Sequence, residues 1–169
     1  MVLISPTAAQ LRKLMGIADY QFGKEAGSAL FSKGIQVALS RRTGRMRHIY
    51  KNEKLIATMR PKDGYIALTT EGALLFLSAM KNPSNLVVAQ DNVRDFIETG
   101  GDVFAKHVVR ADESLRPTEE VVITDEKGNL LGVGKAVLSG NDMKHFKRGV
   151  AVKVRSGTKK SAENSQCTF

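Results

Sequence analysis

At 169 residues and 42% hydrophobic composition, the chain suffices for one ordinary domain or two small ones. It has no run of about 18 apolar residues and no leader-like start, so neither a membrane span nor secretion is expected. Its single cysteine, Cys167, excludes an internal disulfide and a multi-cysteine zinc site and fits a reducing, cytoplasmic setting.

The net charge of +9 is unevenly placed: residues 1–85 hold 13 Lys/Arg against 5 Asp/Glu, whereas residues 86–155 hold 11 against 11. In chain order, Thr7 after Pro6 can cap a helix over Ala8 to Ala18, with Leu11, Leu14, Met15 and Ala18 on one stripe. A second helix is expected over Lys24 to Phe31, ended by Gly34. Ile35, Val37 and Leu39 alternate as a strand face, and Arg41-Arg42-Thr43-Gly44 turns the chain. Beyond the turn Arg45 and Arg47 share a face opposite Met46 and Tyr50. On the next strand Lys54, Thr58 and Arg60 fall opposite Leu55, Ala57 and Met59. A short strand at Tyr65 to Leu68 and a helix over Glu71 to Met80, capped by Thr70, complete an α+β domain over residues 1–85. Asn82-Pro83-Ser84-Asn85 breaks the pattern and marks its end.

Further on, Val93, Phe96 and Ile97 keep helical spacing and Gly100-Gly101 supplies a stop. Phe104 to Val109, Glu120 to Thr124 and Leu130 to Leu138 read as strands, with a charged turn at Asp125 to Asn129. Short strands joined by tight turns predict a small β-barrel over residues 86–156. Gly132 and Gly134 inside a strand signal a bulge, a corner or a close backbone approach. Met143 and Phe146 are expected to pack a short helix onto the barrel. After Arg155 apolar periodicity stops, and residues 157–169 are expected to form a disordered tail, dispensable for folding.

Four ordered segments of this second half carry a family resemblance. Gly100-Gly101-Asp102-Val103-Phe104-Ala105-Lys106, Leu115 through Asp125, Gly128 through Ala136 and Arg148 through Arg155 resemble a PUA domain, the RNA-binding module named after pseudouridine synthases and archaeosine transglycosylases. In the first half, Ala18 through Gly23, Arg42 through Arg47, Thr58 through Gly64 and Leu68 through Ala73 look like the segment preceding the PUA domain in archaeosine-forming tRNA-guanine transglycosylases. The resemblance implies an α+β domain followed by a PUA-type barrel with short helices. It also implies that both domains grip the tRNA acceptor region and present the tRNA to a catalytic barrel that exchanges guanine for a 7-deazaguanine base. That barrel, its aspartates and its cysteine zinc site are not among these residues. The chain is therefore expected to be a noncatalytic tRNA-binding subunit that meets a transglycosylase chain in trans, with no cofactor, no metal and no membrane partner. The other open reading is a free-standing PUA factor in ribosome assembly or translation.

Candidate RNA contacts follow from charge and from the resemblance. Lys33 to Lys62 holds nine cations and one acid, Glu53, and such a stretch attracts phosphate. Arg41, Arg42, Arg45, Arg47, Lys54 and Arg60 are its candidates. The PUA likeness adds Gly100, Gly101 and Lys106, where glycine backbone approaches an acceptor stem and lysine adds charge. A further basic cluster (Lys144, Lys147, Arg148, Lys153, Arg155) contributes Lys147, Arg148 and Arg155. Tyr50 and Tyr65 are expected to bury their rings, with stacking on unpaired bases as the other use. His48, His107 and His145 lack metal spacing, Glu119-Glu120 points to opposite strand faces, and Gly132-Val133-Gly134 with Lys135 is too short for a phosphate loop, so no active site is expected.

Overall fold

The structure, a computed structural model, describes residues 2–160 and divides between Pro83 and Ser84 into two compact units. In the first, β1 (Leu3–Ile4), β2 (Ile35–Leu39), β3 (Met46–Lys51), β4 (Lys54–Met59) and β5 (Ile66–Leu68) form an antiparallel meander in sequence order. Helices α1 (Ala8–Phe22), α2 (Ala26–Leu30) and α3 (Thr70–Ala79) accompany the sheet.

Helix α1 starts with a reciprocal cap: the Gln10 amide donates to Thr7 Oγ1 at 3.2 Å and the Thr7 amide to Gln10 Oε1 at 2.9 Å. It runs a turn beyond the expected end at Ala18, because Phe22 extends the buried Leu14–Ala18 stripe and Gly23 (φ 91°) then stops it. Phe22 and Phe76 of α3 meet at 5.6 Å between centroids in the core; fully burying one such side chain contributes roughly 1.5–3 kcal/mol. Helix α2 is shorter than expected at both ends. Thr69 caps α3 in place of Thr70, accepting from the Gly72 amide at 3.1 Å while donating to the Leu55 carbonyl at 2.7 Å. Gly72 is required there, since a Cβ would overlap the Ile56 carbonyl of β4.

The expected alternation fails at two bulges. Arg47 is the extra residue between the Ala38–His48 and Leu39–Met46 pairs, and Ile56 the extra residue between Ile49–Ala57 and Tyr50–Leu55. Each bulge shifts the phase by one residue. Met46 and Ile49 are therefore both buried, as are Ile56 and Ala57, while Leu55 and Met59 are half-buried.

The second unit contains β6 (Leu86–Ala89), a 3-10 turn at Asp91–Val93, α4 (Arg94–Glu98), β7 (Val103–Phe104), a second 3-10 turn at Ala105–His107 and β8 (Val108–Ala111). It continues with β9 (Glu120–Thr124), β10 (Leu130–Ala136), α5 (Gly140–His145) and β11 (Val150–Gly157). The strand order is β7-β11-β10-β9-β6-β8, with β6 parallel to β9 and the other pairs antiparallel. This is the small barrel with short helices that was expected, around a core that includes Val87, Ile97, Val121, Ile123, Leu131, Met143 and Val152.

The strand expected over Phe104 to Val109 is broken by the 3-10 turn, so Lys106 lies on a turn. Register shifts occur at Gly132 and Gly134, and a Cβ at Gly134 would overlap the Lys153 carbonyl of β11. Asn85 belongs to this unit: its side chain is buried and donates to the Glu120 carbonyl at 2.9 Å. Phe146, expected in the core, is 50% exposed, because α5 ends at His145 and only Met143 reaches inward.

The start of the expected tail is ordered. Strand β11 runs to Gly157, whose missing Cβ admits the Glu98 carbonyl, and Lys159 pairs with Asp95 at 2.6 Å and Glu98 at 2.9 Å. Residues 161–169, with Cys167, lie outside the described residues.

Candidate nucleic-acid interface

Two six-residue turns build one wall of a concavity in the first unit. In the β2–β3 turn the Ser40 amide donates to the Arg45 carbonyl at 2.8 Å and the Gly44 amide to the Ser40 carbonyl at 2.8 Å. The β4–β5 turn repeats this pattern, from the Arg60 amide to the Tyr65 carbonyl at 2.8 Å and from the Gly64 amide to the Arg60 carbonyl at 2.9 Å. Gly44 (φ 65°) and Gly64 (φ 75°) supply the left-handed residue each turn needs. In an antiparallel meander, alternate turns project from the same end.

Gln10, Lys13 and Ile17 on one face of α1 complete a concavity of about 710 Å³. Arg42, Arg45, Arg47, Arg60 and Lys62 also line it. Lys13, Arg42, Arg45, Arg47 and Lys62 have no ion-pair partner among the described residues, so their charge faces solvent and whatever enters. Arg60 differs: Asp63 holds its guanidinium at two atoms, 3.1 Å and 2.8 Å away. Arg41 is exposed on the first turn but outside the concavity, and Lys54 pairs with Glu71 at 3.2 Å. Lys13 and Tyr20 were missed by sequence reasoning; the signal was the spacing of Lys13, Ile17 and Tyr20, which places them on one helical face. Tyr65 is 37% exposed rather than buried, and Tyr50 is half-buried.

In the second unit, Gly100 (φ 101°) ends α4 and Gly101 donates to the Phe96 carbonyl at 2.8 Å. The Phe96 ring occupies the space a Cβ at Gly101 would need, so a valine there meets Phe96 before it meets any ligand. A second concavity, about 270 Å³, is lined by Val93, Phe96, Asp102, Val103, Phe104, Lys106 and His107. The Ala105 amide donates to the Gly149 carbonyl at 2.9 Å, bringing exposed Lys147 and Arg148 beside the Lys106 turn. Arg155 stands apart from this group: it closes on the buried Glu120 carboxylate, with Nη1 donating to Oε2 at 3.1 Å. Lys144 pairs with Glu113 at 2.6 Å, and Lys153 faces Lys135 across β10 and β11.

In the same unit, Arg94 joins Glu98 and Asp125, each at 3.0 Å. Burial pushes the Glu98 carboxyl up, but hydrogen bonds from Lys159 and Arg94 outweigh it and hold the group below the usual carboxylate range. Burial acts on Asp125 in the same way and is outweighed by Asn129, the Lys127 amide and Arg94.

The model of a PUA domain matches residues 85–158, and the model of the patch-forming domain C2 of tRNA-guanine transglycosylase matches residues 12–83. The chain thus pairs a first unit matched by this patch-forming domain with a second unit matched by a PUA domain. More narrowly, its two units in succession resemble the C-terminal region of tRNA-guanine transglycosylases. The tRNA-guanine(15) transglycosylase of Methanobrevibacter smithii is 43% identical over 150 residues, that of Pyrococcus abyssi 42% over 147, and that of Thermococcus kodakarensis 40% over 156. These matches cover 89%, 87% and 92% of this chain but 23%, 25% and 27% of the relatives, so the chain spans about a quarter of their length. The fold is shared with a Pyrococcus horikoshii OT3 protein (TM-score 0.78, 23% identity, 97% of this chain and 99% of that one). It is also shared with a conserved PUA domain protein of Thermoplasma acidophilum (TM-score 0.64, 20% identity, 92% and 91%).

Proposed function

We propose that the two units grip tRNA at its acceptor region and present it to a base-exchange enzyme of the archaeosine type, acting as a noncatalytic subunit for a separate catalytic chain. The observation that carries this reading is the concavity of the first unit, where five cations without ion-pair partners among the described residues converge from α1, β3 and two turns. Unneutralised cations held at close quarters are suited to successive phosphates, whose counterions they displace. In the second unit the Gly100–Lys106 loop with Lys147 and Arg148 offers backbone and charge to the broad minor groove of an A-form stem. The relatives' activity on tRNA supports tRNA over other RNAs.

The test is tRNA binding by the purified chain across a salt series. With about four to six phosphates neutralised, the log-log slope is expected on the order of −3 to −5. Arg45→Ala with Arg47→Ala is expected to weaken binding to all RNAs and to flatten the slope by up to about one unit per lost contact. An affinity indifferent to salt overturns the reading. Preference for ribosomal RNA over tRNA ends in crosslinking assigns the chain to the ribosome-related class instead.

A further inference from the structure

The cations of the first concavity account for phosphate, but not for two tyrosine rings at its edge. Tyr20 on α1 is 78% exposed and Tyr65, after the second turn, 37%. Their ring centroids lie 6.1 Å apart at an interplanar angle of 22°, and the Arg60 guanidinium stands over Tyr65 at 5.6 Å from its centroid. Asp63 fixes that guanidinium, and the Tyr65 amide also donates to Asp63 Oδ1 at 3.0 Å, so platform and turn are held as one piece. A ring as exposed as Tyr20 contributes little to its own fold. Lying one helical turn from Ile17, it shares the α1 face that lines the concavity. The Tyr20 phenol pushes the Tyr65 phenol above its ordinary pKa, which already lies well above physiological pH, so the Tyr65 ring carries no charge there.

We propose that this edge holds an unpaired nucleotide of the bound RNA, its base stacked on the Tyr20–Tyr65 platform and its flanking phosphates facing Lys13, Arg42 and Arg45. The inference rests on the RNA-binding reading above and adds to it that the first unit engages single-stranded rather than helical RNA. Three features support it. A duplex keeps its base faces stacked inside the helix, so only an unpaired base can present a π-face to the tyrosines. Aromatic platforms beside cationic grooves bind single strands with little sequence preference, since every base has a π-face. The volume of about 710 Å³ falls within the roughly 300–1,000 Å³ of clefts that enclose small ligands.

The chain has no tryptophan, so Tyr20→Trp installs a single indole reporter at an exposed position. Its fluorescence is titrated with a single-stranded RNA octamer and with a blunt RNA duplex of the same length, alongside the affinity of wild type, Tyr20→Ala, Tyr65→Ala and Tyr65→Phe for the octamer and for tRNA. All variants are first checked by melting. The single strand is expected to quench the indole and the duplex to leave it bright. Either alanine variant should weaken octamer binding by about five- to a hundred-fold with an unchanged salt slope, whereas Tyr65→Phe, which keeps the ring, should bind as wild type. Full octamer affinity in folded Tyr20→Ala and Tyr65→Ala proteins that still bind tRNA, or equal quenching by the duplex, overturns the stacking site and leaves the RNA-binding reading standing. A wild-type chain that binds none of these RNAs at low salt overturns both.

Discussion

Glu120 sits in the barrel with its side chain closed off from water, and Arg155 of β11 neutralises it. Sequence reasoning counted Arg155 among the RNA contacts because it closes a basic cluster; the fold gives its guanidinium this buried acid. Arg155→Ala leaves the carboxylate buried without its cation. A fully enclosed broken pair costs roughly 3–5 kcal/mol, and the 39% exposure of the arginine lowers the expectation to about 2–3 kcal/mol. Denaturant unfolding should show this loss while the salt slope of RNA binding stays at the wild-type value. A stable variant with a flattened slope would instead place Arg155 on phosphate.

Among the elements, α4 and the segment just after β11 depend on one another through charge. Asp95 is held below its ordinary pKa mainly by the hydrogen bond from Lys159, and Glu98 lies below its own because Lys159 and Arg94 outweigh its burial. A carboxylate with a depressed folded pKa stabilises the fold fully above its unfolded pKa, about 4, and the contribution disappears as pH falls through the folded value. Lys159→Ala is therefore expected to lower the melting temperature at pH 7, with the difference from wild type closing as pH falls below about 4. Truncation after Arg155 should also remove the close packing of Gly157 under α4, and so should leave a deficit that persists in acid. Matching wild-type and truncated melting curves at pH 7 would contradict this docking.

For the molecule as a whole, the basic meander and the barrel correspond to a quarter of enzymes whose remaining length has no counterpart here. No helix among the described residues is long and apolar enough to cross a membrane. In the proposed reading, base exchange belongs to a separate catalytic chain. The purified 169-residue chain is accordingly expected to incorporate no labelled guanine into tRNA, and to raise incorporation when a catalytic barrel protein is added. Incorporation by the chain alone, abolished by point variants of its own residues, would move the chemistry into these two units.

Order along the chain was legible in the sequence wherever a local rule decides it. The Thr7 cap, the Asp125 to Asn129 turn, the glycine stop after α4 and the break at Asn82 to Asn85 depend on residues a few positions apart. The excess of cations in the first half was equally plain, as was the succession of motifs that marks a PUA domain. What required the tertiary structure was everything set by partners distant in sequence. The bulges at Arg47 and Ile56 depend on strand register, and a shift of one residue exchanges the faces that alternation assigns. Which cations remain available depends on where Asp63, Glu71 and Glu120 arrive, and the tyrosine platform exists only because α1 meets β5, where Gln21 bonds to Ile66 45 residues further along the chain. Local propensity can specify a turn, but a site assembled from a helix and two loops is decided by packing.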